Sequence, residues 1–255
     1  MDFRIIKPKG KLSGHIQAIW SVRNGTTEHS PVRKPLYCDG GSGVTFLIRG
    51  DICLSDTSVN QDIYVQKNSK TTQIIEINEN TQLCGIRFHP GMMPDSFSDI
   101  TAVEADTGSI PSISSLYSLL LSEAKLTSQL TTMYRWCSTH LDLNDPELIK
   151  RNQLLSHTEQ GKIGEQFQTS QRQIERNFNQ WIGMSPKKYQ RLRRVHSSLT
   201  YLRDNPDTPL SDLALAKGFS DQAHMTREFK SFVLTTPGNI SQKIKAKIRS
   251  GNSGH

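Results

Sequence analysis

A short pattern of residues occurs twice near the end of this chain, with corresponding residues 51 positions apart. Each copy has Gln, three apolar residues and Pro: Gln171, Ile174, Phe178, Trp181 and Pro186 in the first, and Gln222, Met225, Phe229, Phe232 and Pro237 in the second. Steps of three and four residues place the apolar members on one face of a helix. Two copies are too few for a solenoid. The pattern therefore predicts two helix-turn-helix units.

The first unit is predicted over about 158–182. A helix over roughly 158–166 carries Ile163 and the small Gly164, which lets the following helix cross closely at a tight turn. Ser170 is placed to cap the second helix, because its hydroxyl can accept from the free amides of the first turn.

The second unit is predicted over about 211–233. Ser211 and Asp212 open its first helix, and Asp221 begins the next. Asp221 has no counterpart in the first copy, since the offset falls to 50 upstream of Gln171. Three residues are expected to pack the first helix: Leu213, Ala214 and Leu215.

One long helix over 186–203 is predicted to join the units. Ser185 caps it, Pro186 occupies its first turn, and Asp204-Asn205-Pro206 ends it. Eighteen residues at about 1.5 Å each make a rod of roughly 27 Å. Such a rod can hold two recognition helices about one DNA turn, near 34 Å, apart.

The charge is divided unevenly along the chain. Residues 1–149 carry 13 Lys and Arg against 16 Asp and Glu, whereas residues 150–255 carry 18 against 8, a net charge of +10. A basic C-terminal half indicates a polyanion as its partner. A solvated basic surface without such a partner is the alternative.

Eight side chains project away from the predicted apolar faces, and their types suit contacts to DNA: Arg172, Glu175, Arg176 and Asn179 in the first unit, and Gln222, His224, Arg227 and Lys230 in the second. Arg donates twice to guanine, Gln pairs twice with adenine, and Glu accepts from cytosine. Glu175 also lies within reach of Arg172 and Arg176, and an ion pair inside the helix is favoured for it. Arg176 and Arg227 hold equivalent places in the two copies.

A second set of side chains is predicted to contact phosphates and to contribute affinity without sequence preference. Its members are Asn179, Lys187, Lys188, Arg191, Arg194 and Lys230. Simple solubility is the alternative role for the basic face of the joining helix.

The N-terminal half up to about Arg87 has the pattern of short strands separated by turns. The clearest are 15–22, 43–48, 72–77 and 83–88, rich in β-branched residues. Such strands predict a sandwich or a small barrel. A barrel of this kind can enclose a small ligand or be filled by its own side chains.

The pattern becomes helical after about Pro111. Three helices are predicted. The first carries Leu116, Leu119 and Leu120, and the third begins at Asp145-Pro146. Its buried side is expected to be Leu148, Ile149, Leu154 and Leu155. The second predicted helix, between the first and the third, has a wide apolar stripe, which either packs on the strands or forms a dimer interface. The stripe consists of Leu126, Leu130, Met133, Tyr134, Cys137 and Leu141.

The rest of the composition argues against other classes of protein. The four cysteines, Cys38, Cys53, Cys84 and Cys137, form no C-x-x-C motif and are predicted to be reduced core thiols of a cytoplasmic protein. His15, His29 and His89 stand alone, so neither a metal nor another cofactor is predicted. The start of the chain lacks a secretory signal, and no apolar run is long enough to span a membrane.

Residues 163–240 resemble the DNA-binding domain of the AraC/XylS family of bacterial transcription regulators. The resemblance is carried by Ser170, Arg176, Phe178 and Pro186 in the first copy. In the second it is carried by Leu213-Ala214, the run from Phe219 to His224, the run from Arg227 to Lys230, and Pro237. Gln168 and Leu234 stand where this family usually has Gly, and Ile240 where it has an aromatic residue.

The resemblance implies an α+β chain of two domains. Residues 146–255 would be the DNA-binding domain. The base-contacting positions of the family would fall on Arg172, Glu175, Arg176, Gln222, His224 and Arg227. Residues 1–145 are similar to a cupin-like sensor or dimerisation domain with appended helices, through Trp20, Cys38-Asp39-Gly40 and the run from Gly85 to Gly91. Double-stranded DNA, RNA polymerase, a small effector and a second copy of the chain are the implied partners.

The sequence thus predicts a sequence-specific transcription regulator without catalytic residues. A non-specific architectural DNA-binding protein is one alternative. A DNA alkylation-repair enzyme with the same DNA-binding fold is another, although that chemistry requires clustered thiolates on zinc.

Overall fold

The computed structural model of the chain describes residues 1–25, 31–59, 61–68, 70–94, 97, 113–161 and 170–251. These residues fall into two compact units. Unit 1 comprises 1–36, 41–69 and 73–155, and unit 2 comprises 37–40, 70–72 and 156–255. The change between units at 155/156 lies inside a helix, whereas the sequence-based boundary at 145/146 lies before that helix.

Unit 1 contains two antiparallel sheets. The strands are β1 Asp2–Ile6, β2 Ile16–Arg23, β3 Val32–Leu36, β4 Ser42–Arg49, β5 Ile52–Leu54, β6 Thr57–Val59, β7 Ile63–Gln66, β8 Gln73–Ile77 and β9 Gln82–Phe88. One sheet has the order β1-β2-β9-β4-β7 and the other β3-β8-β5-β6. The sheets do not close into a barrel, so of the two predicted forms the open one is observed.

The register of the larger sheet places Ile86 opposite both Ile19 and Val44. All three side chains are buried in one cluster, which covers the helical side of this sheet. On the opposite face, Trp20 lies directly over Gly85. A Cβ at Gly85 would be 2.7 Å from the Trp20 ring, so this strand position requires glycine.

Among the described residues, three α-helices follow the strands: α1 Ile113–Leu121, α2 Leu126–His140 and α3 Pro146–Glu159. The apolar stripe of α2 packs against the larger sheet, with Met133 and Cys137 fully buried. Four of its members belong to the core cluster of unit 1 and Tyr134 packs against that cluster, so the stripe packs on the strands, as one of the two interpretations predicted. α3 starts as predicted, because Asp145 Oδ1 accepts from the Glu147 amide at 2.9 Å. Ile149 is 44% exposed, contrary to prediction.

Unit 2 is helical over its described C-terminal residues. The helices are α4 Gln171–Ile182, α5 Pro186–Asp204, α6 Leu210–Ala216, α7 Gln222–Val233 and α8 Pro237–Gly251. The predicted first helix over 158–166 does not begin at Thr158, because α3 continues to Glu159. Ile163, Gly164 and Gln168 lie outside the described residues.

The duplication in the sequence extends to the helix caps. Ser170 caps α4 and Asp221 caps α7, accepting from the amides of Gln173 at 3.3 Å and His224 at 2.6 Å. Asp221 is therefore the counterpart of Ser170, and the prediction that it lacks one in the first copy is wrong. Ser185 and Thr236 then cap the helices that follow, at 3.3 and 3.2 Å, and Pro occupies the next position in both. Four helix starts are thus set by local side-chain chemistry.

Most of the apolar positions predicted to be buried in the two copies are buried, and two of these predictions are wrong. Phe178 and Phe229 are fully buried, as predicted. Trp181 is only half-buried, and the neighbouring Ile182 is the fully buried residue. Leu215 is 68% exposed, so its predicted packing role is wrong. α6 begins at Leu210 after Pro209, which places Ser211 and Asp212 in its first turn.

Both recognition-helix candidates end in a residue with a left-handed backbone. This residue is Gly183 after α4, with φ 66°, and Leu234 after α7, with φ 58°. A left-handed conformation is unfavourable for any residue with a Cβ, so Leu234 introduces strain that Gly183 avoids. The last turn of α7 also has a hydrogen-bond partner elsewhere in unit 2. The carbonyl of Phe232 accepts from the backbone amide of Thr72 at 3.0 Å and from the Thr72 hydroxyl at 2.8 Å.

Leu234→Gly should increase the free energy of unfolding by up to about 1 kcal/mol, because removing the Cβ relieves strain that exceeds the added chain entropy. Leu234 is 61% exposed, so little burial is lost. The matched change Gly183→Ala should have the opposite sign, since the nearest atom to its new Cβ is 4.0 Å away and only the backbone is affected. Urea denaturation of both variants measures the effect. Equal signs would contradict the strain argument.

No helix among the described residues has the length and apolar character needed to cross a membrane.

Candidate DNA-binding surface

The exposed side of α7 carries two of the predicted base-contact residues. Gln222 and Arg227 are exposed, and neither side chain makes a hydrogen bond or ion pair within the described part of the chain. Arg227 is close enough to Asp221 for its charge to help lower the pKa of that carboxyl. The largest cause of this lowering is the hydrogen bond from the His224 amide to the same carboxylate. Arg227 is thus available to an external acceptor.

The third predicted residue of α7, His224, is held by its own unit. Its Nδ1 accepts from the Ser220 amide at 3.3 Å and lies 3.1 Å from the Ser220 hydroxyl. The ring stands perpendicular to Phe219, with centroids 5.5 Å apart. An accepting Nδ1 leaves the proton of a neutral ring on Nε2, which lies 3.8 Å from a carboxylate oxygen of Glu228. Both nitrogens of His224 therefore face the protein.

On α4 the predicted base-contact residues Arg172, Glu175 and Arg176 are all exposed. The favoured ion pair within this helix is not present among the described residues. Instead, the Glu175 carboxylate accepts from the side-chain amide of Gln171 at 3.3 Å. Arg176 occupies the same place on α4 as Arg227 on α7, and both are unpaired in the described structure.

The basic face of α5 is divided between exposed and internal roles. Lys187 is exposed and Lys188 half-buried, and neither ammonium group has a partner among the described residues. Asn179 on α4 and Lys230 on α7 are also exposed. These four side chains are therefore at least partly accessible from solvent.

Arg191, predicted to contact phosphate, is bound to Glu228. Its Nε and Nη2 lie 2.8 and 3.0 Å from the two carboxylate oxygens, a bidentate pair. The guanidinium carbon also lies 5.7 Å from the centre of the Phe232 ring. The hydrogen bond to Glu228 raises the pKa of Arg191.

Two further arginines of α5 also contact their own unit. The guanidinium carbon of Arg194 lies 5.5 Å from the centre of the Phe219 ring, in the turn before α7. Arg193 Nε lies 2.8 Å from a carboxylate oxygen of Glu159, which also accepts from the Tyr189 hydroxyl at 2.6 Å. Burial, with the nearby Glu159 charge, raises the pKa of Tyr189.

Glu228 was not among the site residues predicted from the sequence, although it lies in the run from Arg227 to Lys230 noted above. It is only 8% exposed, although it is an acidic residue in a strongly basic unit. Its local pattern gives one weak signal, since it directly precedes the core residue Phe229. Nothing local indicates its partner, which lies 37 positions earlier on another helix.

Two cysteines of unit 1, Cys84 and Cys137, are poorly suited to act as nucleophiles. Burial raises the pKa of the Cys84 thiol, and it raises that of Cys137 to about 12. Both thiols are therefore protonated at neutral pH, a form that neither attacks an electrophile nor binds zinc. Within the described ranges, no group of three or more His, Cys, Asp or Glu side chains is arranged to hold a metal ion.

A family model described as a helix-turn-helix domain matches residues 163–243. No curated protein sequence matches the chain significantly. Three solved structures that resemble it are all of ToxT from Vibrio cholerae. One is 11% identical, covers 94% of this chain and 98% of that chain, and has a TM-score of 0.46. A structure of ToxT from Vibrio cholerae O395 is 8% identical, covers 95% of this chain and 98% of that chain, and has a TM-score of 0.45. A structure of unsaturated fatty acid-bound ToxT from strain SCE256 is 9% identical, covers 94% of each chain, and has a TM-score of 0.43.

Proposed function

We propose that this chain, whose residues 163–243 match the helix-turn-helix family model, is a transcription regulator of the AraC type that recognises a specific DNA sequence. α4 and α7 enter successive major grooves, and their exposed side chains contact the bases. The observation that supports this best is the equivalent placement of Arg176 and Arg227. Each is exposed and without a partner in the described structure, at the same position of its helix.

The charge distribution supports the same proposal. The C-terminal half carries a net charge of +10, whereas the N-terminal half is slightly acidic. A duplex attracts such a surface whatever its sequence, and the exposed Lys187 and Lys230 and the half-buried Lys188 provide this contribution. Sequence preference then comes from side chains that reach base edges.

The length of α5 suits two grooves on one side of a duplex. Its 19 residues, at about 1.5 Å each, span roughly 28 Å. One turn of B-DNA measures about 34 Å. A single rigid helix of this length therefore holds two recognition helices at about the spacing of successive major grooves.

Selection of bound sites from random duplex DNA tests the proposal. We expect one sequence to be enriched, and to bind about a thousandfold or more tighter than unrelated duplexes at the same salt concentration. The length and symmetry of the site also report whether one or two copies bind. Equal affinity for all duplexes would instead establish an architectural DNA-binding protein.

Lys188→Ala should weaken binding to every duplex and reduce the slope of log K against log salt by about 0.9, because one phosphate contact is lost. Fluorescence anisotropy over a range of salt concentrations measures this. Asn179→Ala is the uncharged comparison and should leave the slope unchanged. If the salt slope of Lys188→Ala equals that of the wild type, Lys188 does not contact a phosphate.

We further assign control of DNA binding to unit 1, which would respond to a small effector or to a second copy of the chain. We assign RNA polymerase as the partner of the DNA-bound regulator, and the bacterial cytoplasm as its location. An open pocket of about 400 Å³, lined by residues of β5, β6, β7 and β8, is the candidate for this ligand site. Leu54, Val59, Tyr64 and Gln73 line it, without a charged side chain, so it suits a neutral ligand. Tyr64→Ala in full-length protein should abolish any ligand-induced shift in melting temperature.

A further inference from the structure

We propose that Glu228 and Arg191 are a positioning pair, which fixes how α7 presents Arg227 to the duplex, and that Arg191 is not a phosphate contact. This inference rests on the proposed function. Its basis is the bidentate pair between α5 and α7, with N–O distances of 2.8 and 3.0 Å. Two parallel hydrogen bonds restrict the angle between the partners as well as their distance.

Arg191 contacts two residues on one side of α7. Glu228 binds its nitrogens, and the Phe232 ring lies 5.7 Å from its guanidinium carbon. These residues are four positions apart, so they form a stripe along the helix. Arg227 immediately precedes Glu228 and projects about 100° around the helix from it. Fixing the Glu228 stripe against α5 therefore fixes the direction of Arg227.

A second set of contacts fixes the start of α7. Arg194 of α5 lies over Phe219, and Phe219 stands against the ring of His224. His224 accepts from the Ser220 amide and places Nε2 at 3.8 Å from Glu228. Glu228 is thus contacted from its own helix and from α5. For this reason we infer that His224 also positions the helix and does not itself contact bases.

The first copy of the unit lacks this ion pair. Asn177 is the residue 51 positions before Glu228, and its side-chain oxygen accepts from Gln173 Nε2 at 2.8 Å within α4. Gln173 in turn corresponds to His224. The two copies therefore share the intrahelical contact, but in the described structure only the second copy is joined to α5 by a charge pair.

Glu228→Gln separates positioning from simple electrostatics, because the two effects have opposite signs. Removing a negative charge from a DNA-binding unit strengthens its attraction to every duplex. Loss of the positioning pair instead weakens binding to the selected duplex alone, because Arg227 is no longer held at its base. Glu228→Gln also releases Arg191, which leaves affinity for unrelated DNA unchanged or increased.

The experiment uses the full-length chain, the duplex selected by the wild type and an unrelated duplex. We expect Glu228→Gln and Arg191→Gln each to bind the selected duplex about tenfold more weakly, a typical effect of losing a charged contact. The double variant should be no weaker than either single variant, since the two residues act as one unit. On the unrelated duplex, Arg191→Gln should keep the wild-type salt slope.

Asp212→Asn is the matched control, because it removes an exposed acidic side chain from the same unit. If Glu228→Gln raises affinity for both duplexes as this control does, the positioning role is excluded. The positioning role is also excluded if Arg191→Gln weakens binding to both duplexes equally and lowers the salt slope by about 0.9, as the loss of a phosphate contact would. Circular dichroism confirms that each variant is folded.

If Glu228→Gln does not fold, Arg191→Lys takes its place, since lysine keeps the charge but loses the two-pronged geometry. Reduced discrimination in Arg191→Lys supports the proposal, and wild-type discrimination overturns it. If the wild type itself does not distinguish the two duplexes, the proposed function fails first. The two failures are therefore distinguishable.

Discussion

Arg227→Ala is expected to lower the preference of the protein for its selected duplex by about 1–3 kcal/mol, or about 5- to 150-fold. Arg227 is exposed on α7 and has no partner in the described structure, so its guanidinium can donate to a base. The loss should be confined to one or two base pairs, where the enriched sequence becomes degenerate. Repeating the site selection with the variant measures it directly.

Arg176→Ala is the matched variant in the first copy, since Arg176 holds the equivalent position on α4. It should relax the other half of the site, about one helical turn away. An unchanged sequence profile in Arg227→Ala would exclude this residue from base recognition. Degeneracy at the same base pair in both variants would show that the two helices do not occupy successive grooves.

Phe229→Ala is expected to lower the free energy of unfolding of unit 2 by about 3–5 kcal/mol, because it leaves a cavity where an aromatic ring is fully buried. Such a loss is a large part of the stability of an ordinary domain. Binding to selected and unrelated duplexes should decline together, in contrast to Arg227→Ala. Urea denaturation of the full-length chain measures the change.

Leu215→Ala is the control for Phe229→Ala, because Leu215 is on the preceding helix and mostly exposed. Its effect should stay within about 0.5 kcal/mol, as for most surface substitutions. A cost of several kcal/mol in Leu215→Ala would show that this side chain is covered in solution. A cost below about 1 kcal/mol in Phe229→Ala would contradict the packing of the second copy.

Patterns within a few residues predicted the C-terminal helices well. The caps at Ser170, Ser185 and Asp221 are confirmed, because each side chain accepts from the backbone amide three residues ahead. The apolar spacing identified Phe178 and Phe229 as core residues. These predictions succeeded because the interacting groups are neighbours in the chain, so their geometry follows from the helix itself.

Predictions that depended on distant neighbours were less accurate. The apolar stripe of α2 indicated either a dimer interface or a covering helix, and burial of Met133 against the larger sheet decides for the second. Leu215 and Ile149 were expected inside and are exposed. In each case periodicity identified a face of a helix, but the extent of the surface that covers it was not contained in the local pattern.

By itself, the sequence determined the duplicated helix-turn-helix, the caps of its helices and the exposed arginines at equivalent places, because all of these follow from short-range spacing. The tertiary structure alone decided which basic residues of α5 are free. Lys187 remains exposed, whereas Arg191 is bound to Glu228 and Arg194 lies over Phe219. The physical reason is that a charged side chain takes the best acceptor within its reach. For Arg191 that acceptor is brought near only when α5 and α7 pack together.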